Sequence, residues 1–170
     1  MARPFRGRME KPKSEFEQRT LDIRRVSRVV AGGRRFSFRV TVALGDRKGR
    51  VGVGTAKGID VAASIEKAAR QAKKNMIRVR AEGGTIPHEV EMKVKSARII
   101  LKPAKPGTGV IAGGAVRVIC DLAGVRNVVG KILGKSANKI NVAEATVSAL
   151  RGLKAASPKN QQPAAEQANQ

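Results

Sequence analysis

Residues 36–42 read Phe36-Ser-Phe-Arg-Val-Thr-Val42, and this stretch decides how the first half of the chain folds. Phenylalanine or valine occupies every second position, and the positions between them hold Ser, Arg and Thr. Because successive side chains of a strand point to opposite faces, the pattern predicts a β-strand with one buried face. The preceding Ala31-Gly-Gly-Arg34 predicts a hairpin turn, since both glycines can adopt positive φ.

The flanking segments extend this hairpin into a small α+β unit. Leu21–Val30 is rich in Ile and Val and predicts the first strand. Gly45–Gly49 predicts the next turn, and Arg50–Gly54 predicts a third strand. Asp60 is a suitable N-cap, and Val61–Arg78 contains no Pro or Gly, so a long helix is expected there. The predicted order is β-β-β-α.

The predicted helix has one apolar and one basic side. At about 100° per residue, the apolar side gathers Ala62, Ile65, Ala69, Ala72 and Met76. Lys67, Arg70 and Lys74 fall within a narrow arc nearly opposite. With no interleaved glutamate partner expected, this basic stripe favours a phosphate-facing surface over a merely solvated one.

The second half of the chain alternates strands and helices after the boundary Ala81-Glu-Gly-Gly84. The predicted elements are strands over 86–94 and 97–101, a Gly/Pro-rich loop over 102–114, a helix over 115–123, a strand over 127–133, and a helix from Asn141, with Glu144 as capping-box partner, to Leu153. The predicted organisation is a basic flexible arm over 1–19, a first domain over 20–82, a second domain over 83–154 and a disordered tail over 155–170.

Charge is the strongest indication of function. The 170 residues include 35 Lys and Arg against 13 Asp and Glu, a formal net charge of +22. Such a domain repels itself unless a polyanion neutralises it, and the candidates are nucleic acid and anionic membrane. Membrane binding calls for one amphipathic basic helix, whereas these cations are spread over strands, turns and helices. No apolar stretch approaches the ~20 residues of a membrane span. Nucleic acid is therefore the expected partner.

Cysteine and histidine are too few for a disulfide or a Cys/His zinc site. Cys120 is the only cysteine and His88 the only histidine. Cys120 lies in an apolar stretch, so we expect a small buried side chain rather than a reactive thiol. Residues 1–20 contain Glu10, Glu15 and Glu17 and no apolar segment, so they resemble no targeting peptide and a cytoplasmic location is expected.

No motif of the sequence predicts catalysis, a cofactor or a metal site. Gly134-Lys135-Ser136 is similar to the end of a phosphate-binding loop, but that loop needs glycine at position 129, which is Val129. Glu89 and Glu91 share one face of a predicted strand and are expected to form a surface ladder. A nucleotide-dependent enzyme would rest on the Gly134–Ser136 segment alone.

Glycines beside cations recur along the chain. They occur at 32–35, 47–50 and 57–58, and in the loop 102–114 that leads to Arg117. Glycine lets the main chain approach a polyanion closely, and neighbouring Arg and Lys can bridge phosphates. The sequence has no Tyr or Trp, which argues against reading single strands by base stacking. Recognition of the phosphates and shape of folded RNA fits better.

Several stretches resemble the bacterial small-subunit ribosomal protein S-five family. The most specific are Val26-Ser-Arg-Val-Val-Ala-Gly-Gly-Arg-Arg-Phe-Ser-Phe38 and Gly107-Thr-Gly-Val-Ile-Ala-Gly-Gly-Ala115, and Val51-Gly-Val-Gly-Thr-Ala-Lys57 adds to them. The resemblance covers about residues 20–153 with the segments in order. It implies an α+β protein with two small domains. The first is a β-β-β-α domain similar to double-stranded-RNA-binding domains, and the second is a β-β-α-β-α domain with a left-handed crossover.

The resemblance also implies the function. Members of this family are non-catalytic constituents of the small ribosomal subunit in the cytoplasm, without cofactor or small-molecule substrate. They bind small-subunit ribosomal RNA at the junction of body and head, support assembly and influence decoding accuracy. Small-subunit ribosomal proteins four and eight are implied neighbours, and proteins three and four share the lining of the mRNA entry tunnel. The loop Ser27–Arg35 corresponds to the one that approaches RNA of the head and carries spectinomycin-resistance changes. Ala31 and Lys139 depart from the family pattern, which often has Lys and Pro there.

These arguments together predict an RNA-binding set and leave one alternative function open. The predicted RNA-binding residues are Arg24, Arg25, Ser27, Arg28, Gly32, Gly33, Arg34, Arg35, Lys57, Lys67, Arg70, Lys74, Lys102, Lys105 and Arg117. The alternative is a free duplex-RNA-binding protein or RNA chaperone that uses only the first domain. It predicts that a fragment over 20–80 binds duplex RNA as tightly as the full chain does.

Overall fold

The computed structural model describes residues 15–81 and 83–154. The strands are β1 (Glu17–Val30), β2 (Gly33–Gly45), β3 (Arg50–Gly58), β4 (Ile77–Arg78), β5 (Val90–Val94), β6 (Ala97–Pro103), β7 (Val110–Ile111) and β8 (Val128–Ile132), and the helices are α1 (Val61–Lys74), α2 (Gly114–Ala123) and α3 (Lys139–Arg151). Most of the predicted N-terminal arm and the whole predicted tail lie outside the described residues. The strand β1 begins at Glu17, before the predicted domain start at residue 20.

The first sheet confirms the predicted meander and helix. Its strand order is β1-β2-β3-β4, with every neighbouring pair antiparallel. Val40 and Val42 point to one face, where they are fully buried together with Ala68 of α1. The alternation of residues 36–42 therefore places α1 over Val40 and Val42, but Phe36 on the same face is 45% exposed and Thr41 on the other face is buried, so the predicted pattern of one buried face was only partly correct.

The hairpin turn differs from the predicted one by one residue. Because Val30 pairs with Gly33, the two central residues of the turn are Ala31 and Gly32. Neither Ala31 nor Gly32 has a positive φ. The residue of this turn with a positive φ is Gly33, at 131°. The expectation that Gly32 and Gly33 both use positive φ at the turn centre was therefore wrong.

The first helix ends earlier than predicted. Its N-cap is Asp60 as expected, but the helix ends at Lys74 with Asn75 as C-cap. Ile77 and Arg78 instead form β4 and pair with β3. The sequence after Lys74 contains no Pro or Gly that would mark the end of the helix. The helix ends there because the following residues pair with β3.

The buried face of α1 is rotated from the predicted one. Ser64, Ala68 and Ala72 are the buried residues of the helix, whereas Ala62 is exposed. Met76 lies beyond the end of the helix and is half-buried. The apolar stripe predicted from a regular helical wheel was therefore only partly correct.

The second sheet has the strand order β5-β6-β8-β7. Its first three strands are antiparallel, and β7 runs parallel to β8, which follows it through α2. The prediction of an unbroken loop over 102–114 was wrong, because Val110 and Ile111 gain hydrogen-bond partners on β8. The β7–α2–β8 connection is a crossover between parallel strands, and its left-handed sense stays a prediction of the resemblance.

The last helix begins earlier than the predicted capping box. Its N-cap is Asn138, whose side-chain oxygen accepts a hydrogen bond from the Ile140 N–H at 3.1 Å. Asn141 lies inside the helix, so its predicted role as N-cap was wrong. Lys139 occupies the first helical position, where proline is also favoured, and its Nζ lies 3.6 Å from Asp22.

The two domains share one apolar core. Helices α2 and α3 contact strands of both sheets, whereas α1 packs on β2 and β3. The largest buried cluster joins Leu21, Ala43 and Val51 of the first sheet to Val116 and Leu122 of α2. The second domain thus covers the face of the first sheet that α1 leaves free. The residue limits of the two domains, 20–82 and 83–154, stay predictions.

The turn between β2 and β3 docks against the last turn of α2. The N–H of Arg47 donates to the carbonyl of Leu122 at 2.9 Å, and that of Gly49 to Ala123 at 3.0 Å. Carbonyls in the last turn of a helix lack partners within the helix, so this turn supplies them. A Cβ on Gly45 would lie 2.3 Å from the carbonyl oxygen of Leu122, which requires glycine there.

Asp46 holds this turn in shape. Its side chain is only 3% exposed, and its carboxylate accepts hydrogen bonds from the N–H groups of Lys48 and Arg50 at 2.8 and 2.9 Å and from the Arg50 Nε at 2.6 Å. Burial alone raises the pKa of this carboxyl. The hydrogen bonds and the charge of Arg50 outweigh burial, so its pKa lies below the ordinary value.

We expect Gly45→Ala to destabilise the whole chain. The added methyl group collides with the Leu122 backbone, which cannot move without separating α2 from the first sheet, so the free energy of unfolding should fall by about 2–4 kcal/mol. Urea denaturation measures this fall. Gly32→Ala is the matched control, because a Cβ on Gly32 meets nothing within 4 Å. Equal stability of the two variants would contradict the close contact.

Asp46→Asn should lower the free energy of unfolding at pH 7 and should make that free energy change less with pH in the acid range. An aspartate in the unfolded chain has a pKa of about 3.9, and the pKa of folded Asp46 is lower. Its contribution to stability is therefore complete above the unfolded pKa and is lost as the pH falls through the folded pKa. Urea denaturation at pH 7 and at acidic pH measures both effects. The same pH slope in the parent and the variant would contradict this role.

Candidate nucleic-acid interface

A two-stranded hairpin projects from the first sheet. The strand β3 pairs with β2 only between Phe38 and Gly45. Residues 26–37 therefore continue as a pair of strands without a third neighbour, and we call them the projecting hairpin. Its tip at Gly32 and Gly33 is open, because a Cβ on either glycine would meet nothing within 4 Å.

The strand register assigns the cations of this hairpin, and those of the adjoining parts of β1, β2 and β3, to two faces, because directly paired residues point to the same side. One face, which we call the arginine face, consists of Arg24, Arg28, Arg35, Arg39 and Lys57. It continues the side of the sheet that carries Ala43, where the second domain packs. The sequence predicted four of these five residues and missed Arg39.

Like charges oppose each other directly on the arginine face. Arg28 pairs with Arg35, and Arg39 pairs with Arg24 on one side and with Lys57 on the other. Such opposition is destabilising in a sheet. Within the described residues, the ion pair found on this face joins Arg24 Nε to Asp22 at 2.7 Å. The arrangement is suited to a polyanion that neutralises all five charges together.

The opposite face of the hairpin combines cations with apolar side chains. The guanidinium carbon of Arg25 lies 3.7 Å from the centre of the Phe36 ring, which is itself 45% exposed. Ser27 pairs with Phe36, and Arg34 pairs with Val29, which is 74% exposed. The predicted residues Arg25, Ser27 and Arg34 therefore lie together, but not with the arginine face.

The cations of α1 form a third exposed group. Lys67, Arg70 and Lys74 are all exposed as predicted. The expectation of no acidic neighbour was wrong, because Glu66 lies 3.7 Å from Arg70 one turn away. Since α1 covers the face that carries Val40, these residues are separated by the sheet from the arginine face.

The predicted residues of the second domain do not share one loop. Lys102 lies on β6 and its Nζ is 3.3 Å from Glu89, so its position differs from the predicted loop site. Lys105 is exposed in the loop. Arg117 is exposed on α2, and its Nε donates to the carbonyl of Val110 at 3.3 Å.

Asn127 holds the loop in place, and the sequence analysis missed it. Its side-chain oxygen accepts hydrogen bonds from the N–H groups of Gly107 and Gly109 at 3.1 and 3.2 Å. Both glycines have positive φ, 90° and 74°, which explains the Gly-Thr-Gly sequence. Only the tertiary fold brings Asn127 to this loop, so no local signal could identify it.

A further basic cluster, also missed, lies at the edge of the first sheet. Arg50 pairs directly with Arg78 across β3 and β4. The centre of the Phe16 ring lies 5.1 Å from the guanidinium carbon of Arg50 and 5.4 Å from the Nζ of Lys73. Because the predicted helix extended over Arg78, this pairing could not be foreseen.

The Gly134–Ser136 segment and Cys120 are the other residues that the sequence analysis considered as reactive sites. Gly134–Ser136 does not open a helix, and the Ser136 hydroxyl lies 3.2 Å from that of Ser96. Burial raises the pKa of the Cys120 thiol to about 12, which confirms a buried apolar role. Across residues 15–81 and 83–154, no three His, Cys, Asp or Glu side chains cluster to hold a metal ion. None of the helices described is long and apolar enough to cross a membrane.

Glu89 and Glu91 both belong to ion pairs on the second sheet. Glu91 pairs with Arg98 and Glu89 with Lys102. The contact with Arg98 lowers the pKa of Glu91 and raises that of Arg98. Both carboxylates are thus exposed in ion pairs, but the strand β5 begins at Val90 rather than at the predicted residue 86, so the expectation that Glu89 and Glu91 share a strand face was wrong.

Comparison with known proteins places both halves of the chain in one family. The family model described as "Ribosomal protein S5, N-terminal domain" matches residues 16–80. The one described as "Ribosomal protein S5, C-terminal domain" matches residues 92–164. The two matches follow each other in the order that the sequence resemblance implied.

Curated relatives agree with these matches. The "Small ribosomal subunit protein uS5" of Thermus thermophilus is 50% identical over 143 residues, which cover 84% of this chain and 88% of that protein. The protein of the same name from Campylobacter jejuni is 51% identical over 142 residues, covering 84% and 96%. That from Thermotoga neapolitana is 48% identical over 139 residues, covering 82% and 78%. The chain belongs to the ribosomal protein S5 family, whose members are structural, non-enzymatic proteins of the small ribosomal subunit.

Proposed function

We propose that this chain binds small-subunit ribosomal RNA mainly through the projecting hairpin, at the junction of body and head. The arginine face is the observation that carries the proposal. Its five cations form one directly opposed pair and one row of three across neighbouring strands, and only Arg24 has a carboxylate nearby within the described residues. An RNA backbone offers the row of phosphates that such a face needs.

The remaining cations would extend the interface to other RNA segments. Lys67, Arg70 and Lys74 on α1 face away from the arginine face, and Lys105 and Arg117 lie in the second domain. Because both domains share one core, these groups keep fixed relative positions. The chain would thereby hold separate RNA segments together, which supports subunit assembly, decoding accuracy and the geometry of the mRNA entry tunnel.

Neighbouring proteins complete the proposal. The family resemblance implies contacts with small-subunit proteins four and eight, with protein three nearby at the mRNA entry.

Lys102 is less suited to RNA than predicted, because its charge is already paired with that of Glu89. Phosphate contact at Ala31 is unsupported as well, because its side chain has no charge.

The alternative, a free duplex-RNA-binding protein built on the first domain, is disfavoured by the core. Leu21, Ala43 and Val51 are buried against the second domain rather than against α1. A first domain without its partner would expose these apolar side chains to water. The function proposed here therefore uses the complete chain.

We expect Arg28→Gln with Arg35→Gln to weaken RNA binding while it stabilises the free protein. The two residues oppose each other, so their removal relieves repulsion and should add a few tenths of a kcal/mol to the free energy of unfolding. The slope of log K against log salt is negative, and loss of two phosphate contacts should make it shallower by about two units. Filter binding to small-subunit ribosomal RNA at several salt concentrations, together with urea denaturation, measures both.

The matched control for this pair is Arg151→Gln with Lys154→Gln. Both control residues are exposed at the end of α3, so the same charge is removed away from the hairpin. RNA affinity should change far less than in the hairpin variant. An unchanged salt slope in the hairpin variant would refute the assignment of the arginine face.

A fragment of residues 15–81 should fail to reproduce the full chain. Its exposed core face should leave it partly unfolded by circular dichroism, with duplex-RNA affinity below that of the full chain. A folded fragment that binds duplex RNA as tightly as the full chain would instead support the free duplex-RNA-binding protein.

A further inference from the structure

Asp22 lies where the arginine face meets the second domain. It pairs with the buried Thr41, on the side of the first sheet that carries Ala43 and the second domain. The register shifts between Thr20 and Asp22, so β1 gains one residue in a β-bulge. Leu21 and Asp22 are consecutive, yet Leu21 lies in the shared core and Asp22 lies beside it, within reach of α3. The bulge thus places a carboxylate at the border of the two domains.

Two cations share this carboxylate, one from each domain. Arg24 Nε lies 2.7 Å from Asp22 Oδ2, and Lys139 Nζ lies 3.6 Å from Asp22 Oδ1. The Asp22 side chain is only 13% exposed, whereas those of Arg24 and Lys139 are 51% and 58% exposed. Because each cation approaches a different oxygen, Arg24 can leave the carboxylate while Lys139 stays.

RNA binding by the arginine face removes Arg24 from this arrangement, so the present inference rests on the proposed function. An RNA phosphate competes with the Asp22 carboxylate for Arg24, because both are anions that accept hydrogen bonds from a guanidinium group. A largely buried carboxylate that loses its last partner is strongly destabilising. Lys139 prevents this loss, because it leaves Asp22 with one cation after Arg24 has moved to the phosphate.

The helix itself does not require lysine at position 139. Lys139 is the first residue of α3 and stands where the family pattern often has proline, a residue that this helical position favours. The preceding Asn138 has φ −77° and ψ 100°, an extended conformation that is compatible with a following proline. Proline would therefore keep the helix and its cap but would leave Asp22 with Arg24 alone.

We propose that Lys139 is a positioning residue for RNA binding, which holds the Asp22 carboxylate when an RNA phosphate takes Arg24. The lysine acts through Asp22 and needs no contact with RNA of its own. Its place beside β1 is fixed by the core that the two domains share. The second domain thereby contributes to the RNA affinity of the arginine face.

A double-mutant cycle on RNA binding by the full chain tests this role. The variants are Lys139→Pro, Asp22→Asn and the two combined, and filter binding to small-subunit ribosomal RNA measures the affinity of each. Lys139→Pro should lower the affinity about threefold, as expected for the loss of one partly exposed ion pair. Asp22→Asn should raise the affinity, because no carboxylate then competes for Arg24. In the Asp22→Asn background, Lys139→Pro should have no effect.

Lys154→Met is the matched control, because it removes one exposed lysine at the other end of α3. It should change the affinity less than Lys139→Pro does, and by the same factor with and without Asp22→Asn. An equal loss from Lys139→Pro in both backgrounds would mean that Lys139 contacts RNA directly, which overturns the proposal. Unchanged affinity of Lys139→Pro in the parent background overturns it as well.

Two further comparisons separate this role from an effect on the backbone and from the proposed function. Lys139→Met removes the cation without introducing proline, so it should give the same loss of affinity, and a loss with proline alone overturns the proposal. If Arg28→Gln with Arg35→Gln keeps the parent salt slope, the proposed function is contradicted. If that variant binds more weakly while the effects at Lys139 and Asp22 are additive, only the positioning role is overturned.

Discussion

The close approach of the first sheet to α2 is the constraint on which the rest of the structure depends. A Cβ on Gly45 would lie 2.3 Å from the Leu122 carbonyl oxygen, and one on Gly124 would lie 2.2 Å from that of Arg47. Backbone therefore meets backbone from both sides, and glycine is required at both positions. The contact satisfies the last carbonyls of α2 and closes the shared core at the same point.

This packing determines which part of the first sheet remains free. Its central part is covered by α1 on one face and by the second domain on the other, so only the projecting hairpin offers both faces to a partner. The carboxylate on the arginine face is Asp22, which lies 2.7 Å from Arg24 and 3.6 Å from Lys139 and leaves the other four cations without an ion pair among the described residues. The arginine face consequently keeps its charge, and its repulsion is relieved only when a polyanion binds.

Local pattern predicted the elements of this fold but not their pairing. Alternation over residues 36–42 identified β2 and its helix-covered face, and Asp60 identified the start of α1. The end of α1 at Lys74 and the strand β7 depend on partners that are distant in sequence, so no local signal could reveal them. The cations of the hairpin were likewise predicted, but their division into two faces required the register, which also revealed Arg39.

The contacts proposed for the arginine face and the contacts within the shared core depend on different forces. Contacts of the arginine face would be dominated by phosphate charge, so they should weaken steeply as salt rises. The shared core is held by apolar burial, which salt does not screen. The chain can therefore keep its fold, and the fixed positions of its cations, at salt concentrations that release the RNA.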